Sequence, residues 1–386
     1  MEYDLSGLSA FLDDRDADGY LLDDGAGNAD QRYLSGHDAE DPFLTLYTPE
    51  TTRLLFWGSD YFSATDRSRA DEVYRAADYG YHGYGSLDER HRVTGEFVAD
   101  HGVETVVVPE RFPLGTAEAL AAAGIAVQRD GSDVLTQLRS RKAPDEVAAL
   151  RDAVAATEAA YAAVEETLAS ASVVDGHLAV DGDALTVAAL SREITATLLD
   201  RNYLLVDPLV ACGSDTAEPH GRSTGPIPAG EPIQLDLIPR DVTTGYYADV
   251  SRAFVRGEPD GRLREWYDLV DEALDRAEAV VGPDVTGPEV NDVLCSFFEE
   301  RGFATPRTDD SIERGVLHYM GHGVGLDVHE LPLCTPDGGD LEPGNVITVE
   351  PGLYDPDLGG VRLEDVLLVT EDGCENLTSY PRTFQV

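Results

Sequence analysis

The segment PIQLDLIPRDVTTGYYADVSRAF, from Pro232 to Phe254, places Asp236 and Asp249 in what read as the two arms of a hairpin. Strands disfavour aspartate. The two positions are equidistant from a turn centred on Val242-Thr243, so a simple antiparallel register sets the carboxylates opposite each other on one face. Like charges so placed repel. If buried they need a cation between them, and a divalent metal is the obvious candidate. The competing reading is a solvated strand face. The composition gives it weight, because 74 of the 386 residues are acidic. In such a chain only joint patterns of carboxylates carry information.

A second pair supplies one. Glu350 closes the apolar run NVITVE just before Pro351-Gly352, and Glu364 sits among Val361, Leu363, Val366 and Leu368. An unpaired carboxylate in strands this apolar is costly. The third piece is HYMGHGVGLDVHE, which gathers His318, His322 and His329. His318 and His322 have the spacing of a zinc-binding helix. However, position 319 is Tyr rather than Glu and glycines break the segment, so the HExxH reading fails. Two Asp, two Glu and one His form a mostly oxygen-donor set suited to two Mn²⁺, Co²⁺ or Zn²⁺ ions. Two such ions about 3.5–4 Å apart share a water, deprotonate it near neutral pH and polarise a carbonyl. The remaining histidines are then free to steady a tetrahedral intermediate and the leaving amine.

The charge bounds the partners. Net charge is −46, and Lys142 is the single lysine among 28 basic residues. Surface carboxylates bind water and hydrated cations, whereas a lysine stem exposes apolar area. At molar salt the Debye length falls to about 3 Å and the self-repulsion is screened. The expectation is a protein of a salt-in halophile. With 42% hydrophobic residues the chain has enough for real cores, which excludes a disordered acidic tail. A surface this negative argues against nucleic acid or an anionic membrane as partner. No basic-then-apolar leader and no run of about 18 apolar residues is present, so the expected location is the cytoplasm. Cys212, Cys295, Cys334 and Cys374 form no CxxC pair and read as free, buried thiols.

Length suggests two domains. Residues 1–140 alternate strand and helix signals. GYLLDD reads as a strand, PFLTLYT and TTRLLFWG as a hairpin about Pro49-Glu50, RADEVYRAA as a helix, VETVVVP as a strand, TAEALAAAG as a helix and IAVQR as a strand. This pattern predicts a three-layer α/β domain. A long helix beginning near Pro144 opens the second domain, 141–386. Val147, Leu150, Val154, Tyr161, Val164 and Leu168 share its apolar face. Beyond it, SREITATLLDRN, LREWYDLVDEALDRAEAVV and EVNDVLCSFFEERG read as helices. LVDPLVACG, PIQLDLIP, GYYADVSRAFV, NVITVEPGLY and GVRLEDVLLVTEDG read as strands. Helices set apart from hairpins predict an α+β domain with an antiparallel sheet.

The second domain resembles the pita-bread metallopeptidases (aminopeptidase P, prolidase and methionine aminopeptidase) over about residues 142–386. The motifs are GYYADVSRAF, HYMGHGVGLDVHE, TVEPGLY and VRLED, in the family's order. The resemblance implies that Asp236, Asp249, His322, Glu350 and Glu364 bind two metals, Mn²⁺ foremost, with Asp249 and Glu364 bridging and Glu350 shuttling protons. His220, His318 and His329 match the substrate-side histidines, and Arg362 the arginine that orients the second glutamate. The first domain is similar to that of the proline-directed branch and of creatinase, which methionine aminopeptidases lack. The implied activity is hydrolysis of Xaa-Pro bonds in short peptides by a metal-bridging hydroxide. The implied assembly is a homodimer with the first domain near a partner's active site. Two departures stand out. The stretch between the aspartates is longer than usual, with Ile238-Pro239 in place of a glycine, and Ser251 replaces a threonine. Two alternatives share the fold: a creatinase-like C–N hydrolase and a non-catalytic peptide-binding module. Both are marked by lost ligands, whereas here all five positions are filled.

Overall fold

The computed structural model describes residues 3–25, 27–39, 41–83, 85–205, 208–309 and 311–386. The chain divides into two compact units between Arg139 and Ser140.

The first unit is built on one six-stranded mixed sheet. Its strands are β1 (Gly19–Asp24), β2 (Phe43–Thr48), β3 (Thr51–Phe56), β4 (Glu72–Arg75), β5 (Thr105–Val108) and β6 (Ala126–Arg129), in the order β4-β3-β2-β1-β5-β6. β2 and β3 form the hairpin about Pro49-Glu50, with Thr48 opposite Thr51. Leu21, Leu44, Leu46, Leu55, Val106 and Val108 give the sheet an apolar face, packed with Val93, Phe97 and Leu120 from the helices Leu87–Asp100 and Leu114–Ala122. One element departs from the sequence reading. RADEVYRAA is a strand followed by a 3-10 turn, Ala76–Tyr79, rather than a helix. Local propensity is overridden here, because β4 pairs in parallel with β3 along its whole length, Arg53 opposite Glu72 through Phe56 opposite Arg75.

The second unit opens with the helix Pro144–Ser170. Pro144 occupies its first turn and Glu146 Oε2 accepts from the Ala143 N–H at 2.7 Å, which satisfies an end donor. Leu150, Val154, Tyr161, Val164 and Leu168 are buried as the spacing predicts, and Val147 is half-buried. The Tyr161 hydroxyl donates to Val250 O at 2.6 Å and lies 3.2 Å from Leu235 O, pinning both strands of the aspartate hairpin to this helix. The helices Gly261–Glu278 and Gly287–Glu299 share a core with the strands, in which Val270, Leu274, Leu294 and Phe298 cluster with Ile347, Val361 and Leu367. Cys212, Cys295 and Cys334 are buried free thiols and Cys374 is half-buried. Among the described residues no helix is long and apolar enough to cross a membrane.

The strands of this unit pair antiparallel, but they are shorter than the sequence runs suggest. LVDPLVACG contains the last residue of Tyr203–Leu205 and the whole of Leu209–Cys212, and its Val206 and Asp207 lie outside the described residues. NVITVEPGLY breaks into Val346–Val349 and Gly352–Asp355. GVRLEDVLLV breaks into Gly359–Arg362 and Asp365–Val369. Glu350 and Glu364 therefore stand in breaks between strands rather than inside them. The pairing register is nevertheless continuous across both breaks. Val349 faces Asp365 on one side and Gly352 faces Arg362 on the other, which sets Glu350 opposite Glu364.

The aspartate hairpin differs from the simple register. Asp236 faces Ser251, not Asp249, and Leu237 faces Val250. The turn lies one residue later than its midpoint suggests. The Asp241 carboxylate accepts from the N–H groups of Thr243 and Thr244, and Asp241 N–H closes on Tyr246 O at 2.9 Å. The shift moves the pairing by two positions, so parity survives and Asp249 remains on the face of Asp236, one diagonal step away. The extra length between the aspartates forms a ladder of its own. Pro239–Asp241 pairs antiparallel with Tyr203–Leu205.

Candidate metal centre

Two hairpins meet at one bridge. Glu364 pairs with Ser251, its N–H donating to Ser251 O at 3.1 Å. This brings the hairpin of Asp236 and Asp249 against that of Glu350 and Glu364. His322 enters on the short strand His322–Gly323, which pairs with both Glu330–Leu333 and Val346–Val349. The backbones approach closely there. A Cβ on Gly323 would stand 2.2 Å from Leu331 O, so only glycine fits.

All nine residues expected at the site line a single cavity of about 600 Å³: Asp236, Asp249, His322, Glu350 and Glu364, together with His220, His318, His329 and Arg362. Asp236, Asp249, His322, Glu364 and Arg362 are buried, Glu350 and His318 are partly buried, and His220 and His329 are exposed. Ligand atoms of Asp249, His322 and Glu364 lie within 4.8 Å of one another. His322 Nε2 is 3.7 Å from Asp249 Oδ2 and 3.7 Å from Glu350 Oε1. The His322 Nδ1 contact with Gly323 O, at 3.0 Å, makes Nδ1 the protonated nitrogen and aims the Nε2 lone pair at the carboxylates. Three buried oxygens, Asp236 Oδ1, Asp249 Oδ1 and Glu364 Oε1, find no hydrogen-bond donor among the described residues. Buried carboxylates without donors are what a bound cation would satisfy.

The electrostatics follow from this crowding. Burial pushes the Asp249 carboxyl well above the usual range, and Glu364, Asp236 and Glu350 add to the rise. Burial does the same to Glu364, helped by Glu350 and Asp236 and opposed by Arg362 and the Ser251 hydroxyl. Glu350 is pushed up to about 8 by burial, with Arg362 opposing and Asp236 adding. The histidines move the other way. Burial lowers His322 to about 4, with His329 next to it contributing, and lowers His318 to about 4, with Arg362 contributing. Burial also lowers His329.

Arg362 corrects one expectation. Its guanidinium pairs with Asp236 Oδ2 at 2.6 Å, not with the second glutamate. The rest of the fork is committed to Ser251 Oγ at 3.0 Å, Pro219 O at 2.8 Å and Tyr354 Oη at 3.1 Å. So the hydroxyl at position 251 is an acceptor for this arginine, a role that serine fills as well as threonine. Sequence reasoning missed two residues. Tyr354 Oη lies 2.8 Å from His318 Nε2 and links that ring to Arg362. Its only signal was its place in TVEPGLY. Gln234 clips the strand carrying Arg362, its Oε1 accepting from Arg362 N–H at 2.9 Å and its amide donating to Arg362 O at 3.2 Å. A polar residue amid PIQLDL was the trace it left.

The model of metallopeptidase family M24 matches residues 148–371, well over half of the chain. The chain belongs to this family. It is 32% identical over 262 residues to the Xaa-Pro dipeptidase of Pyrococcus furiosus, an alignment that covers 65% of this chain and 66% of that relative, just under two thirds of its length. With the Xaa-Pro dipeptidase of Pyrococcus horikoshii it shares 28% identity over 393 residues, 96% of this chain and 95% of the other. The fold is that of the solved prolidase from Pyrococcus horikoshii OT3, with a TM-score of 0.80 at 24% identity over 98% of this chain and 99% of that one. In this M24 chain the family's match begins just after the start of the helix at Pro144 and runs through both carboxylate hairpins.

Proposed function

We propose that this M24 chain is a dinuclear-metal peptidase that hydrolyses Xaa-Pro bonds in short peptides, with residues 141–386 as its catalytic domain and 1–140 as an accessory one. The observation that carries the metal reading is the trio of buried, donor-less oxygens on Asp236, Asp249 and Glu364, three residues that line one cavity with His322. Asp236, Asp249, His322, Glu350 and Glu364 would hold the ions, with Asp249 and Glu364 the candidates for ligands common to both. Mn²⁺ is the first candidate, with Co²⁺ and Zn²⁺ behind it. When bound, the ions supply Lewis-acid polarisation of the scissile carbonyl and a water made nucleophilic near neutral pH.

The chain's own groups do the rest. Glu350, partly open to the cavity, takes the proton released from the attacking water and delivers it to the departing amine. Arg362 holds the Asp236 carboxylate in place. His318 is held between Tyr319 O and Tyr354 Oη, both at 2.8 Å, and His329 and His220 stand on the open side, where a substrate carbonyl lies. An Xaa-Pro amide has no N–H, so peptidases that bind that group lose a contact and the ring is recognised by shape. Leu209, Ile238 and Leu333 give the cavity the apolar wall such a ring needs. The relatives named Xaa-Pro dipeptidase support the same substrate class. The net charge of −46 supports a halophilic setting. A cytoplasmic homodimer completes the reading.

The substrate is tested by kcat/KM on Ala-Pro and Ala-Pro-Ala against Ala-Ala and Ala-Ala-Ala, in high salt with Mn²⁺. The proline peptides are expected to lead by at least about 10-fold, the discrimination a hydrophobic pocket achieves. Equal rates reject the proline assignment. Preferential release of N-terminal methionine moves the chain to the methionine-directed branch.

The metal reading also fixes a pH dependence. In the metal-free protein Glu350 titrates at about 8 and Asp249 and Glu364 well above their usual range, so at pH 7 protons sit on carboxylates that a cation must displace. His322 and His318 are already neutral above about 4 and release none. Mn²⁺ binding therefore expels protons, and affinity rises as pH increases through 8. Calorimetry in two buffers of different ionisation heat measures the released protons. A binding heat independent of buffer contradicts the assignment.

A further inference from the structure

Lys142, Glu146, Tyr246 and Glu330 form a buried cluster that does not line the cavity. Lys142 is the chain's one lysine, and it is 7% exposed. Its ammonium is hydrogen-bonded to Glu330 Oε1 and lies 3.4 Å from Ser140 O. A buried ion pair recovers its desolvation cost only with good geometry, so it is weak evidence for stability and invites another explanation.

What the cluster touches supplies that explanation. Glu330 directly follows His329. Its carboxylate folds back over Gly325, where a Cβ would stand 2.1 Å from Oε1, so the loop between His322 and His329 closes around the charge that Lys142 neutralises. Gly325 O, in that loop, accepts from Tyr247 N–H at 2.9 Å. Tyr246, beside it at the tip of the aspartate hairpin, donates its hydroxyl to Glu146 Oε1 in the first turn of the helix Pro144–Ser170. Lys142 sits two residues before that helix and, with Glu330, contributes to the field felt by Glu146. One helix start thus holds both the hairpin carrying Asp236 and Asp249 and the loop running from His322 to His329.

We infer that Lys142, Glu146, Tyr246 and Glu330 are positioning residues that clamp the aspartate hairpin to the histidine loop and thereby set the affinity of the site for divalent cations. The inference rests on the metal reading above. A cluster that only stabilised the fold is replaceable by apolar side chains without effect on the site. A clamp is not.

The test uses the full chain in high salt and three proteins: wild type, Tyr246→Phe and the double variant Lys142→Met/Glu330→Leu. Tyr246→Phe removes one hydroxyl and keeps the ring. The double variant removes the Lys142–Glu330 pair as a unit, so neither of these two charges is left buried without the other. Folding is followed by thermal unfolding, Mn²⁺ uptake by the metal-free protein by calorimetry, and kcat/KM on Ala-Pro. Each variant is expected to unfold cooperatively and to bind Mn²⁺ about 10- to 100-fold more weakly, the loss typical of removing a group that orients a ligand. Wild-type Mn²⁺ affinity in both variants overturns the clamp while leaving the metal reading intact. A wild-type protein that takes up no Mn²⁺ overturns the metal reading and the clamp with it.

Discussion

Glu350→Gln and Asp249→Asn each lower kcat by at least about 100-fold while the protein stays folded. Both changes keep size and remove charge. Asp249 is 4% exposed, faces His322 Nε2 at 3.7 Å and crowds against Glu364 and Asp236. Its neutral amide lessens repulsion in the metal-free protein, so unfolding resistance without metal is unchanged or raised. With metal, one of the anionic ligands proposed above is lost. Glu350 stands opposite Glu364 in the hairpin register and is the more open of the two, so Gln at 350 removes the group placed to carry a proton. Turnover of Ala-Pro under saturating Mn²⁺, together with unfolding midpoints with and without metal, separates the two contributions. Near-wild-type turnover in both variants contradicts the site.

Arg362→Met is expected to destabilise the protein by about 3–5 kcal/mol, the usual cost of stripping one partner from a buried ion pair. Arg362 is 3% exposed and its fork is fully used: Asp236 on one nitrogen, Ser251 on another, and Pro219 O with Tyr354 on the third. Removing it leaves the buried Asp236 carboxylate without its cationic partner and beside three other carboxylates. Lysine does not restore the loss, since a single ammonium does not span these acceptors. Denaturant unfolding at fixed salt measures the effect, and an unchanged midpoint for Arg362→Met refutes it.

The pairing of carboxylates was legible because it violates what strands prefer, and because the apolar neighbours of Glu350 and Glu364 left no solvated face for them. The face shared by Asp236 and Asp249 was legible as well, since a two-residue shift of register preserves parity. The shift itself was not. It depends on the Asp241 side chain taking the N–H groups of Thr243 and Thr244, a local competition that spacing does not reveal. The strand breaks at Glu350 and Leu363-Glu364 were hidden because apolar runs show burial and not where a ladder pauses. RADEVYRAA failed for a related reason: four residues follow the edge they pair with, and the edge is distant in sequence. Glu146 and Glu330 were illegible for a compositional reason. In a chain this acidic a buried glutamate looks like the many exposed ones, and only three-dimensional neighbours distinguish it. The resemblance pairs Arg362 with the second glutamate, whereas its partner, Asp236, lies 126 positions away.

The unbroken register on either side of Glu350 and Glu364 has a consequence for how such chains drift. The spacing of those two carboxylates is dictated by backbone pairing, which any residues of suitable shape can make, and not by a particular set of neighbouring side chains. Core positions around them are then free to exchange one apolar residue for another of like volume. A chain with such a ladder can exchange many of the residues around it and still hold two glutamates at this separation. What it does not survive is a slip of one residue in the ladder, which sends one of the two side chains to the opposite face. The geometry of this centre therefore depends on the alignment of strands more than on the chemistry of the wall behind them.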